Sequence, residues 1–134
     1  MAAILLIEDD ADLRESLKKA LQEAGHTVVE APDGMIGMDL FRNERPDLII
    51  TDIIMPNKDG METIRELRRE DPASKIIAIS GGPHMIPDYY LDTAQVFGAV
   101  RTIAKPFRSE VLLQAVDELL AAPATPPPNR AFKF

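Results

Sequence analysis

Short apolar runs alternate with longer amphipathic stretches along most of the chain, and this alternation predicts repeated strand–helix units. Continuous apolar or β-branched runs are typical of strands buried on both faces of a parallel sheet. Apolar residues spaced three or four positions apart are typical of helices packed on such a sheet. The predicted strands span 2–7, 27–31, 48–51, 75–80 and 100–104, and the predicted helices span 11–24, 35–45, 60–70 and 109–121. The pattern of the stretch 84–98 is less clear, and Pro87 could begin a helix within it that Gly98 ends.

Helix ends and helix faces follow from local signals. Asp10 and Ser109 stand where N-cap residues are expected, immediately before amphipathic stretches. Helical spacing places Ile36 and Val111 on inward faces, and it places Arg68 among charges that face largely outward.

Strands that alternate with helices through short connections imply parallel strands, right-handed crossovers and helices on both faces of the sheet. The commonest solution for five such units is a flavodoxin-like, doubly wound (βα)5 sheet of order 2-1-3-4-5. The predicted fold class is therefore α/β, with one domain over residues 1–121. In this order the first and third strands are neighbours at the switch point, where α/β sheets bind ligands.

Composition narrows the possible functions. The chain has 134 residues, of which 46% are hydrophobic and 28% charged, and this balance suits a single globular domain. A net charge of −7 argues against nucleic acid as a direct partner. The absence of cysteine excludes disulfides, thiolate metal sites and thiol nucleophiles. No apolar stretch is long enough to span a membrane, so we expect a cytoplasmic protein.

The last residues, 122–134, differ from the rest of the chain. They are rich in proline, and their charged side chains are Arg130 and Lys133. We expect an extended, flexible tail that serves as a linker, as a docking peptide, or in no role. No second domain is predicted.

Polar residues follow the predicted strands at the edge where a site is expected. Glu8 and Asp9 follow the first strand, Asp52 follows the third, Ser80 ends the fourth, and Lys105 follows the fifth. Converging carboxylates repel one another unless a cation is bound. Mg²⁺ suits this set, since it takes few carboxylates and keeps positions for water and phosphate oxygens. The three carboxylates, the lysine and the metal then sum to zero charge.

Each of these residues also has an ordinary role when it is considered alone. Glu8 and Asp9 could cap the first helix, and Asp52 could be a helix cap or a solvated loop acid. A lone Lys105 would be a surface lysine, and a lone Ser80 a turn residue. The joint arrangement after four strands favours a functional site.

The sequence resembles the receiver domain of bacterial two-component response regulators over residues 2–121. The matching motifs are Ile4-Leu5-Leu6-Ile7-Glu8-Asp9-Asp10, the stretch from Pro46 to Pro56 that contains Asp52, Asp59-Gly60, Ser80, and Lys105-Pro106-Phe107.

The resemblance implies that Asp52 accepts a phosphoryl group from a phosphohistidine on a sensor histidine kinase or a histidine phosphotransfer protein. Lys105 would then pair with the phosphoryl group, and Ser80 would donate a hydrogen bond to it. The resemblance also implies a cis peptide bond between Lys105 and Pro106. On this interpretation the protein is not an enzyme beyond its own phosphorylation and the hydrolysis of its phosphoryl group.

The resemblance also implies a metal site. Asp9, Asp52 and the backbone carbonyl of Ile54 would bind Mg²⁺, and Glu8 would act through a water molecule. Phosphorylation would switch the surface formed by the helix in 84–98, the strand 100–104 and the last helix. That surface would bind an unknown downstream protein target, and a homodimer through it is possible.

The chain departs from the family pattern near this surface. Three residues before Lys105 the family usually has tyrosine or phenylalanine, and here the residue is Thr102. The segment between Ser80 and Lys105 is also a few residues longer than usual. We therefore expect atypical switching.

Two other functions fit parts of the pattern. An aspartyl-phosphate hydrolase of the haloacid dehalogenase type also has a nucleophilic aspartate after a buried strand, but it has a second acid two residues later. Here that position is Ile54, which disfavours the hydrolase. A pseudo-receiver that binds partners without phosphorylation is disfavoured because all five pocket residues are present.

Overall fold

A computed structural model of the chain describes residues 2–53, 60–80 and 101–122. The strands are β1 (Ala3–Ile7), β2 (Thr27–Ala31), β3 (Leu48–Asp52), β4 (Ile76–Ser80) and β5 (Arg101–Ala104). The helices of the described part are α1 (Ala11–Glu23), α2 (Gly34–Glu44), α3 (Gly60–Glu70) and α4 (Ser109–Ala121). The predicted helix within 84–98 and the tail residues 123–134 lie outside the described residues.

The five strands form one parallel sheet of order β2-β1-β3-β4-β5, which confirms the predicted flavodoxin-like topology. Strand β3 lies at the centre, and every one of its residues is buried. The register aligns Ile7 of β1 with Thr51 of β3. It aligns Ser80 of β4 with Ala104 of β5. The carboxyl ends of these strands therefore meet at one edge of the sheet.

Alternate residues of the strands supply two separate cores. On one face, Leu5 and Ile49 pack with residues of α2 and α3, among them Phe41 and Ile64. On the other face the core consists of buried residues from β1, β3, β4, β5, α1 and α4: Ile4, Leu6, Leu17, Leu21, Leu48, Ile50, Ile77, Ile79, Ile103, Leu112, Ala115, Val116 and Leu119. Both faces of the sheet are covered, so the continuous apolar character of the strands is explained.

Three predictions about the helices are wrong. Ser109 is the first residue of α4, and its N-cap is Arg108, whose side chain makes no capping hydrogen bond. Ile36 is 43% exposed and Val111 is 48% exposed, although helical spacing placed both inward. Both lie in the first turn of their helices. An inward angle on the helical wheel therefore does not by itself bury a side chain.

Arg68 is a further correction, because its side chain is buried and not outward-facing. The residue is 7% exposed, and its Nη1 atom donates to the carbonyl oxygens of Pro72 at 2.7 Å and Ser74 at 2.5 Å. Burial lowers the pKa of the guanidinium. The long side chain thus binds the loop that leads from α3 into β4, and hydrogen bonds offset the cost of burying its charge.

Among the helices of the described ranges, none combines the length and the apolar character that crossing a membrane requires.

Candidate functional site

The carboxyl edge of the sheet brings together the acidic residues that follow its central strands. Glu8 directly follows β1, and Asp52 is the last residue of β3, which pairs with β1. Glu8 is 1% exposed and Asp52 is 5% exposed, whereas Asp9 is exposed. Two carboxylates are therefore withdrawn from solvent and a third lies at the rim.

Lys105 contacts both buried carboxylates. Its Nζ atom lies 3.1 Å from Oδ2 of Asp52 and 3.3 Å from Oε1 of Glu8. The lysine follows β5, and the peptide bond between Lys105 and Pro106 is cis, as the resemblance implied. The interpretation of Lys105 as an isolated surface lysine is excluded by these contacts.

The helix-cap alternatives for the acidic residues do not hold. Asp10 is the N-cap of α1 and accepts from the N–H groups of Asp12 and Leu13, as predicted. Glu8 accepts a hydrogen bond at 3.1 Å from the backbone N–H of Asp10, the N-cap residue, and so does not itself cap the helix. Asp52 ends a strand, and its Oδ1 atom accepts from the N–H of the next residue at 2.9 Å.

Burial and mutual repulsion shift the protonation of this cluster. Burial, together with the charge of Asp52, raises the pKa of Glu8 to about 8. Burial also raises the pKa of Asp52, although the nearby Lys105 ammonium opposes the shift. Burial alone would lower the pKa of Lys105, but the charges of Asp52 and Glu8 outweigh it and the net shift is upward. The single ammonium group of Lys105 does not balance the three carboxyl groups of this cluster.

The cluster fits a metal ion. Glu8, Asp9 and Asp52 each offer a carboxylate oxygen, and these oxygens lie within 4.8 Å of one another. Oε1 of Glu8 is buried and accepts no hydrogen bond from the described residues. It forms an ion pair with Nζ of Lys105, but the geometry of that contact is not that of a hydrogen bond. A hard divalent cation with oxygen ligands would supply the missing charge and ligation. The fourth predicted ligand, the carbonyl of Ile54, lies outside the described residues.

Two further predicted residues, Ser80 and Thr102, lie on the neighbouring strands β4 and β5. Ser80 is the last residue of β4 and is aligned with Ala104, so its backbone lies at the same edge, beside the residue that precedes Lys105. Thr102 is half-buried in β5, opposite Ala78. The switching roles of Ser80 and Thr102 stay predictions.

Three residues whose contacts the sequence analysis did not predict support this edge. Arg14 of α1 donates from Nη1 to the carbonyl oxygen of Glu8 at 2.7 Å. The hydroxyl of Thr51 donates to the carbonyl oxygen of Asp52 at 3.0 Å. Gly60, at the start of α3, lies so close to β3 that an added Cβ would overlap the carbonyl oxygen of Asp52. The sequence analysis used the Asp59-Gly60 pair as a matching motif. The steric need for glycine at position 60 becomes visible only from the packing of α3 on β3.

The raised pKa of Glu8 predicts how stability depends on pH in a buffer that contains a chelator. The ordinary pKa of a glutamate is 4.5 and that of folded Glu8 is about 8. Between these values the folded protein holds a proton that the unfolded chain has lost. The free energy of unfolding should therefore fall as pH rises from about 4.5 to about 8. Urea denaturation across this range measures the slope.

Glu8→Gln removes the titrating group, so its slope should be flatter than that of the wild type. The matched surface variant, Glu23→Gln in the last turn of α1, should keep the wild-type slope. A Glu8→Gln slope equal to that of the wild type would show that Glu8 does not carry the proton.

The fold and the acidic edge agree with a known family. The family model for the response regulator receiver domain matches residues 4–117 of the chain. The chain therefore belongs to the response regulator receiver domain family, which acts in two-component signalling.

Individual relatives agree with this assignment. Response regulator MprA from a Mycobacterium species is 34% identical over 134 residues, which cover 98% of this chain and 56% of that protein. The chain thus spans about half the length of the first curated relatives that it matches. Response regulator receiver protein CpdR from Brucella abortus is 34% identical over 122 residues, which cover 91% of this chain and 99% of that protein.

A solved structure gives the same result. The two-component response regulator of the LuxR family from Aurantimonas is 27% identical, with a TM-score of 0.83, and the match covers 98% of this chain and 93% of that one.

Proposed function

We propose that this receiver domain accepts a phosphoryl group on Asp52 from the phosphohistidine of a sensor histidine kinase or a histidine phosphotransfer protein. The observation that carries the proposal is the contact of the Lys105 ammonium with the buried Asp52 carboxylate, beside Glu8 and Asp9. Phosphoryl transfer depends mainly on positioning and on neutralising the oxygens of the transferred group. The hydrogen bond from Ile53 supports the positioning of Asp52, and Lys105 supplies part of the neutralising charge.

The metal of the proposal is Mg²⁺. Asp9, Asp52 and the backbone carbonyl of Ile54 would hold it, and Glu8 would act through water, as the resemblance implies. When bound, Mg²⁺ supplies positive charge to the phosphoryl oxygens and lowers the repulsion among the carboxylates.

In the transfer itself, a carboxylate oxygen of Asp52 forms a bond to phosphorus as the bond from phosphorus to the histidine nitrogen breaks. The electron pair of that bond stays on the nitrogen of the donor imidazole. The N–H of Ile53 donates to Oδ1 of Asp52 and so restricts the orientation of the attacking carboxylate. Lys105, already beside Oδ2, pairs with the oxygens of the arriving group.

The phosphorylated domain would then bind a downstream protein target. The added negative charge and acceptor oxygens favour a conformation in which the Ser80 hydroxyl donates to the phosphoryl group. The responding surface would comprise the predicted helix within 84–98, β5 and α4, where Thr102 replaces the usual aromatic residue. A homodimer through this surface and a cytoplasmic location belong to the same proposal, and nucleic acid is not a direct partner of so acidic a domain.

Acetyl phosphate tests the central step without a kinase. Wild-type protein incubated with Mg²⁺ and acetyl phosphate should gain the mass of one phosphoryl group, and protein incubated with acetyl phosphate and a chelator should not. Intact-mass spectrometry measures both samples. An unchanged mass in the presence of Mg²⁺, for protein shown to be folded, would refute the proposal. Sustained hydrolysis of a generic phosphate ester would instead favour the hydrolase alternative.

A further inference from the structure

We infer that Thr51 is a positioning residue for the phosphoacceptor, and that its hydroxyl fixes the direction of the Asp52 carboxylate. The inference rests on the proposed function of Asp52. Thr51 is fully buried in the central strand β3. Its Oγ1 atom donates to the main-chain carbonyl oxygen of Asp52 at 3.0 Å.

The contact matters because both ends of the peptide group between Asp52 and Ile53 are then held. The carbonyl accepts from Thr51, while the N–H of Ile53 donates to the carbonyl oxygen of Ile79 at 2.8 Å. The same N–H donates to Oδ1 of Asp52 at 2.9 Å. The carboxylate is thus bound to a peptide group whose own rotation is restricted.

The second carboxylate oxygen depends on the first. With Oδ1 held by Ile53, Oδ2 points to Lys105, whose Nζ lies 3.1 Å away. A rotation of the peptide group would move Oδ1 with the N–H and so carry Oδ2 out of reach of the ammonium. The hydroxyl of Thr51 therefore acts on the reacting carboxylate through one peptide group.

Packing alone does not explain a threonine at this position. Valine has nearly the same shape and would fill a fully buried strand position without a polar atom. A buried hydroxyl costs free energy unless it is hydrogen-bonded. Here its partner is the carbonyl of the phosphoacceptor, and Gly60 approaches that same carbonyl closely. The peptide group is confined by a hydrogen bond and by the start of α3.

Two substitutions separate the hydroxyl from the methyl group of Thr51. Thr51→Val keeps the shape and removes the hydroxyl, and Thr51→Ser keeps the hydroxyl and removes the methyl. The rate constant of phosphorylation by acetyl phosphate at saturating Mg²⁺ should fall about tenfold in Thr51→Val, because small displacements of a reacting group slow a reaction strongly. It should stay within about twofold of wild type in Thr51→Ser, where the positioning bond remains.

The free energy of unfolding should be lower in Thr51→Ser than in Thr51→Val, because only Thr51→Ser loses buried apolar volume. Hydrogen exchange at the Ile53 amide is a readout that does not require phosphorylation, and it should be faster in Thr51→Val than in wild type and Thr51→Ser. A wild-type rate and wild-type exchange in Thr51→Val would overturn the inference. Equal slowing in both variants would also overturn it, because it would assign the effect to packing. If the wild type takes up no phosphoryl group, the proposed function fails, and the exchange at Ile53 still decides the role of Thr51.

Discussion

Asp52→Asn is expected to abolish the phosphoryl gain that acetyl phosphate and Mg²⁺ produce in the wild type. The carboxamide is neutral and a poor nucleophile, and it removes one of the three carboxylates that converge at the metal site. The buried contact with Lys105 also loses its charge partner. Intact-mass spectrometry, followed by mapping of any modified peptide, measures the outcome.

The matched control is an aspartate-to-asparagine change at Asp33, which lies between β2 and α2. Asp33 is the N-cap of α2 and accepts from the N–H of Ile36. Asparagine caps helices as well as aspartate does, so Asp33→Asn should remain folded and take up one phosphoryl group. An equal phosphoryl gain in Asp52→Asn and Asp33→Asn would show that Asp52 is not the acceptor.

Gly60→Ala is expected to lower the free energy of unfolding by about 2–3 kcal/mol, although alanine is the better helix former. The new Cβ would overlap the carbonyl oxygen of Asp52 and would come within 2.6 Å of the Cα of Ile53. Both are backbone atoms of the central strand region and cannot rotate away, so α3 or the end of β3 must shift. Urea denaturation monitored by circular dichroism measures the loss.

Gly37→Ala is the appropriate comparison because Gly37 is also a buried helical glycine. Its new Cβ would meet side-chain atoms of Ile7, with Cδ1 at 2.5 Å and Cγ1 at 2.9 Å. Side-chain atoms yield more easily than backbone, so this variant should lose less stability than Gly60→Ala. Equal losses, or a more stable Gly60→Ala protein, would contradict the steric argument.

The sequence predicted the sheet well because its strands are buried on both faces. A strand such as β3, whose residues are all buried, must be apolar or β-branched throughout, and such a run stands out between amphipathic helices. The proximity of the candidate site residues was predicted for a related reason. Parallel strands bring their carboxyl ends to one edge, so residues far apart in sequence, such as Glu8 and Lys105, could be expected to meet.

The supporting contacts could not be predicted because periodicity gives the direction of a side chain and not what it meets. Arg68 has the spacing of a surface charge, yet a loop four to six residues later covers it with carbonyl groups. Ile36 has the spacing of a core residue, yet it is 43% exposed in the first turn of α2. The role of Gly60 depends on its distance from Asp52, which no local pattern encodes.

One ammonium group joins the border of the sheet to its interior. Lys105 follows the outermost strand, β5, while its partners Glu8 and Asp52 follow or end β1 and β3, on the far side of β4. In the described residues β5 pairs with β4, and its Ile103 shares an apolar core with residues of β1 and β3. The ion pairs of Lys105 are a further connection between the edge strand and the centre of the sheet. Because Lys105 immediately follows β5, the charges of Glu8 and Asp52 act directly on the residue next to this edge strand.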